Sequence, residues 1–170
     1  MSECETILNE NIVDAANSLL RHYSLDCPDL QAGTPDDVAY THASSIGFAD
    51  DQIRGSITLM SDASDVRQLG CEAGVCLAGP VSDWLGELAN QTIGRFKSKL
   101  HNFGLNISIG LPASVKGREL ERQGESVSDW YVKWGDIYIL LLADFSYSPE
   151  LCLTEDSPIE ASEEGSLELF

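Results

Sequence analysis

"DWLGELANQTIGRFKSKL", residues 83–100, is the stretch from which the rest of the chain is read. Advancing about 100° per residue, Leu85, Leu88, Ala89, Thr92, Phe96 and Leu100 gather on one side, which predicts an amphipathic helix packed along that side. Ser82 is its expected N-cap and Gly104 its end, with Lys97, Lys99 and His101 complementing the dipole in the last turns. Glu87, Asn90, Gly94 and Lys97, at i, i+3, i+7 and i+10, fall on the opposite side and are expected in solvent. Asn and Gly are poor helix formers, Gly costing about 1 kcal/mol relative to Ala, so something other than helix stability selects them. A glycine beside an exposed amide lets another surface approach closely, and the amide can both donate to and accept from one water molecule. The pattern suits a docking face with one polar finger. On spacing alone it also fits an ordinary helix surface, where substitutions are nearly neutral.

Residues 5–22 repeat the helical pattern, with Ile7, Leu8, Ile12, Ala15, Ala16, Leu19 and Leu20 on one stripe, before Pro28, Gly33 and Pro35 break it. "VAYTHASSIGF" and "QIRGSITLM" read as two strands of a hairpin turning at Ala49-Asp50-Asp51. A short helix capped by Ser61 or Asp62 is expected to run to about Leu69, then a Gly-rich loop to Pro80. "LNISIGLPASVKG" and "DWYVKWGDIYILLLADFSY" read as strands, with the continuous apolar run "IYILLLA" central. This order predicts an α+β fold: long helices packed on one face of a mostly antiparallel sheet, with a pseudo-duplicated helix-strand unit. Residues 1–150 are expected to form a single domain and 151–170 an acidic tail, in which Glu155, Asp156, Glu160, Glu163, Glu164 and Glu168 meet no basic residue.

The chain has 170 residues, enough for one core of ordinary size. No apolar run approaches the roughly 20 residues that span a bilayer, and "MSECETILNE" is acidic, so a soluble, cytoplasmic protein is expected. The five cysteines are odd in number and irregularly spaced. "CEAGVC", Cys71 to Cys76, lacks a second half-site, so no metal site is expected. His22, His42 and His101 are scattered, without a ligand or triad partner at useful spacing. A net charge of −18 disfavours nucleic acid and anionic membranes as partners. Between Leu88 and Arg118 there is no Asp or Glu, while Arg95, Lys97, Lys99, Lys116 and Arg118 all fall there. This positive island suits either an anionic partner or dipole complementation at the helix end.

From "SDWLGELANQTIGRFKSKL" through "PASVKGREL" the sequence resembles the CheX branch of the CheC/CheX/FliY phosphatases of bacterial chemotaxis. Asp83 stands four residues before Glu87, Asn90 three after it, and Pro112 closes the family pattern; Gly94-Arg95, Lys99-Leu100, Gly104 and "VKGREL" also match. The strong part of the likeness runs from Asp83 to about Leu120, and "IRGSITL" matches more weakly. The resemblance implies an enzyme that hydrolyses the aspartyl phosphate of a CheY-like receiver. Asn90 would orient the attacking water and Glu87 would pair with the receiver lysine. Asp83, Gly94 and Lys97 would contact the partner. It implies no cofactor in this chain, the Mg2+ being the receiver's, and a possible homodimer for which "DWYVKWG" offers an edge. CheC-type members carry two Glu/Asn sites; here the first helix has only Asp14-Ala-Ala-Asn17, with a shorter acid and no following glycine, a degenerate relic. Two other readings remain. One is a non-catalytic adaptor that binds a receiver or flagellar-switch protein through the same helix, and the other a dimerising module whose tail recruits a partner.

Overall fold

The two helical stripes produce two helices of 21 residues each, α1 (Glu3–Tyr23) and α3 (Val81–His101), side by side on one face of a seven-stranded sheet. The computed structural model describes residues 2–23, 27–74, 79–121 and 127–154. Cys76, the middle of the Gly-rich loop and the acidic residues from Glu155 onward lie outside them. The strands are β1 (Gln31–Ala32), β2 (Tyr40–Ala49), β3 (Ile53–Ser61), β4 (Ser108–Ile109), β5 (Ala113–Leu120), β6 (Ser128–Trp134) and β7 (Ile137–Tyr147). A shorter helix, α2 (Ala63–Glu72), follows β3 and is capped by Asp62, whose side chain accepts from the Ser64 N–H.

The sheet runs β1-β6-β7-β3-β2, with β4 and β5 both paired to β2, and its pairings are antiparallel. Exchanging β1, β2 and β3 with β5, β6 and β7 leaves this order unchanged. Each half lends an outer strand to the other: β1 lies on β6 and β5 on β2. β7 lies between β6 and β3 with both edges paired, and the side chains of "IYILLLA" are buried in clusters on both faces of the sheet. Ile139, Leu141 and Ala143 join the helices in the main core, while Leu140 and Leu142 form a smaller cluster with Tyr40 and Met60.

The β2–β3 hairpin turns where its sequence predicts. The Asp50 N–H donates to Ile53 O at 2.7 Å, and the Asp50 carboxylate accepts from the N–H groups of Gln52 and Asn106. Two expectations are corrected. Ser82 is not the cap of α3: the N-cap is Pro80, without a side-chain cap, and Ser82 is the second helical residue. Pro80 takes that place because its fixed φ of −59° suits the extended entry, and its carbonyl accepts from Asp83 N–H. The single strand-like run around Pro112 is two strands, because a proline there supplies no N–H to the ladder. At the far end of α3 the Gly104 φ of 75° requires glycine, and Leu105 N–H returns to Leu100 O. Past β7, Leu151 and Leu153 are still buried in the main core.

Phe96, fully buried on α3, meets Phe48 of β2 and Phe145 of β7 at ring-centroid distances of 5.6 and 6.0 Å. Its loss opens a cavity where helix and sheet are joined. Phe96→Ala is expected to destabilise the fold by about 3–5 kcal/mol in urea denaturation.

Candidate functional site

Leu85, Leu88, Ala89, Thr92, Phe96 and Leu100 are all buried, as are Val81, Gly86 and Ile93, so α3 is anchored along its length. Its other side carries Asp83, Glu87 and Asn90, all exposed, followed by half-buried Gly94 and Lys97. At 1.5 Å per residue these five positions form a stripe about 21 Å long. The predicted site residues therefore share one face of one rigid element.

At Gly86, next to Glu87, the helix lies against the sheet. A Cβ there would lie 3.5 Å from Ser44 Oγ on β2, 3.7 Å from Pro112 Cβ and 3.7 Å from Ser114 Oγ on β5. Ser114 Oγ also donates to Ser82 O at 3.3 Å. Pro112, 22 residues beyond Asn90, thus contacts the helix immediately behind Glu87.

Glu87 is held from the side. Gln91 Nε2 donates to Glu87 Oε1 at 2.7 Å, and Tyr23 OH on α1 donates to Gln91 Oε1 at 3.0 Å. The Tyr23 ring in turn lies 5.5 Å from that of Trp84. Sequence reasoning missed Gln91, Tyr23 and Trp84. The i, i+4 spacing of Glu87 and Gln91 was a usable signal, whereas the contact with Tyr23, 68 residues away, was not. Among the described residues no hydrogen bond to protein holds the Asn90 amide, and none ties Lys97, so both are free to meet a partner.

The other cations of α3 are used within the fold. Lys99 pairs with Asp14 of α1, and Arg95 Nη1 donates to Ser18 Oγ at 3.2 Å. The Asp14/Asn17 pair does not form a second open site: Asp14 is bound to Lys99, and Asn17 Oδ1 accepts from Leu30 N–H at 2.9 Å. His22 packs edge-on against Tyr23, and Cys27 is buried, which pushes its thiol up to about 11. Among the described residues no group of three or more His, Cys, Asp and Glu side chains is placed to hold a metal, and no helix is long and apolar enough to cross a membrane.

No protein-family model and no curated protein matches the chain. Solved structures do. The CheX chemotaxis protein of Vibrio vulnificus is 18% identical, with 82% of this chain and 99% of that one covered at a TM-score of 0.64. A CheC-like superfamily protein from Shewanella sp. PV-4 is 17% identical, covering 82% and 97%, at 0.67. CheX of Borrelia burgdorferi, solved as a CheX–CheY–BeF3–Mg2+ complex, is 19% identical, covering 80% and 96%, at 0.62. The chain therefore has the fold of the CheX- and CheC-like chemotaxis proteins.

Nothing lies within 4 Å of a Cβ built on Gly94. Gly94→Ala is therefore expected to stabilise the protein by about 0.5–1 kcal/mol, seen as a higher urea midpoint with unchanged slope.

Proposed function

We propose that this chain is a CheX-like member of the CheC/CheX/FliY family and hydrolyses the aspartyl phosphate of a CheY-like receiver domain. The observation that carries the reading is the exposed pair on α3. Glu87 and Asn90 stand one turn apart on a helix that cannot roll, with Glu87 braced by Gln91 and the Asn90 amide uncommitted among the described residues. The fold supports it, since Borrelia CheX of the same architecture forms a complex with CheY.

In this proposal α3 lies across the receiver's phosphorylation pocket. Glu87 pairs with the active-site lysine of the receiver, which fixes the pose. Asn90 accepts a hydrogen bond from one water through its carbonyl and holds that water in line with phosphorus. The water oxygen bonds to phosphorus as the bond from phosphorus to the aspartyl oxygen breaks; the water's protons go with the released inorganic phosphate, and the receiver keeps a free aspartate carboxylate. Phosphoryl transfer needs positioning and charge stabilisation above all, so a neutral amide is sufficient. The Mg2+ that offsets charge belongs to the receiver. Gly94 leaves room for the partner's surface, and Asp83 and Lys97 contact it at either end of the stripe.

Asn90→Ala is expected to lose about 100-fold or more of the acceleration of phosphate release from a phosphorylated receiver, while binding changes less than about threefold. Glu87→Ala is expected to weaken binding about tenfold. Wild type that binds the receiver without accelerating release overturns the enzyme in favour of a non-catalytic adaptor on the same helix.

A homodimer belongs to the same proposal, with β5 rather than the expected "DWYVKWG" as its edge, because β7 pairs along one side of that strand and β1 pairs with Trp130 and Tyr131 on the other. The outer edge of β5 is exposed, with Val115 on it and Leu111 beside it, 55% and 90% exposed. Sedimentation of the wild type is expected to give about twice the chain mass, and Val115→Lys about the chain mass.

A further inference from the structure

At one end of the sheet a cavity of about 640 Å³ opens where the N-terminal ends of α2 and α3 meet the β2–β5 pair. Arg67 reaches it from α2, and Lys116 and Arg118 from β5. Among the described residues none of the three is ion-paired, although the chain has 28 Asp and Glu residues against 10 Lys and Arg. Among the described residues one carboxylate, Asp62, lines the cavity with them. Its oxygens are already engaged: Oδ1 accepts from the Ser64 N–H and hydroxyl, and Oδ2 from the Thr41 hydroxyl at 2.9 Å. The first turn of α3, Pro80 to Ser82, also lines the cavity, and its N-terminus has no side-chain cap.

His42, 7% exposed, is the neighbour of Lys116 across the β2–β5 pair and lines the same cavity. Its hydrogen bonding fixes the tautomer. The single hydroxyl proton of Thr41 goes to Asp62, so the 3.0 Å contact between His42 Nδ1 and Thr41 Oγ1 is a donation from Nδ1–H. Nε2 is left unprotonated, with no protein partner among the described residues. Burial first, then Lys116 and Arg67, lower the affinity of this imidazole for a proton, against Asp62, which raises it.

We propose that this cavity binds a phosphate group, free or carried on a small organic molecule, between Arg67, Lys116, Arg118, His42 and the first turn of α3. Three cations against one committed carboxylate favour a dianion over a monoanion. Planar guanidinium forks match phosphate oxygens, and a helix N-terminus adds N–H donors and partial positive charge. The volume exceeds what phosphate alone fills and lies in the range of small-molecule sites, with Ala63, Pro80 and Val81 as an apolar wall. Bound phosphate offsets Lys116 and Arg67, so Nε2 takes up a proton and keeps it, its N–H donating a hydrogen bond to the anion. Binding and protonation of His42 are linked. None of these residues belongs to the Glu87/Asn90 face, so this site and the phosphatase reading stand or fall separately.

The test titrates the full chain with inorganic phosphate, adenosine monophosphate and acetate at constant ionic strength, by calorimetry and by the His42 imidazole resonances. Phosphate and the nucleotide are expected to bind and to raise the His42 pKa, with acetate at least about tenfold weaker. Lys116→Gln combined with Arg118→Gln, both exposed positions, is expected to weaken phosphate about tenfold or more, and Arg54→Gln to leave it unchanged. Tighter binding of the nucleotide assigns the site to a phosphorylated organic molecule, and equal affinities assign it to free phosphate. The proposal is overturned if neither probe moves His42, if acetate binds as well as phosphate, or if the double variant binds like wild type.

Discussion

Burial of Leu85, Leu88, Ala89, Phe96 and Leu100 fixes how α3 sits, and with it the direction of every side chain on the opposite face. A roll of one residue, about 100°, would bring Glu87 toward the core and Phe96 toward water. Both changes are costly, since a buried carboxylate needs a partner and an exposed Phe side chain forfeits about 1.5–3 kcal/mol of burial. Gly86 adds a second restraint, because a Cβ there would already be in van der Waals contact with Ser44 on β2, with Pro112 and with Ser114 on β5. The stripe from Asp83 to Lys97 is thus held by hydrophobic packing behind it rather than by polar contacts within it.

α1 has the same length and a similar spacing of apolar residues, yet its acid and amide serve a different end. Asp14 is tied to Lys99 and Asn17 caps the backbone of Leu30, so the outer polar groups of α1 stabilise neighbours instead of facing a partner. An exposed ion pair such as Asp14–Lys99 contributes little, commonly below about 1 kcal/mol. The buried stripe of α1, rather than this pair, holds the helix where Tyr23 meets Gln91. The first helix supports the site of the second.

Where periodicity is long and clean, sequence and structure agree. The stripes of α1 and α3, the β2–β3 hairpin and the central position of β7 all follow from spacing and turn residues. Local chemistry misled at Ser82 and in the run around Pro112, and β1 gave no signal of its own. Ser82 has the side chain of a cap, but Pro80 starts the helix earlier. β1 forms within a segment rich in Pro and Gly because β6 offers an edge to which two residues can pair. Glu87 and Asn90 were legible as an exposed pair, whereas the brace from Tyr23 and the contact between Gly86 and Pro112 depend on tertiary proximity. The cavity around His42 was not legible either, since β2, α2, α3 and β5 contribute to it and no short window of sequence contains it.

The exchange of outer strands between the halves governs how the chain reaches this structure. β5 completes the sheet on β2 across some 70 residues of chain, β1 closes on β6 across about 100, and β3 meets β7 across about 80 to 95. Neither half can finish its own sheet, so a nascent chain released only as far as α2 carries β2 and β3 with both flanking positions empty. Such non-local pairing pays loop-closure entropy before it gains contacts, which makes for slow folding with unpaired edges exposed in the interval. Because the β1–β6, β2–β5 and β3–β7 pairs all join residues from opposite sides of the connection between α2 and α3, each fragment of a chain cut there is left with unpaired strand edges.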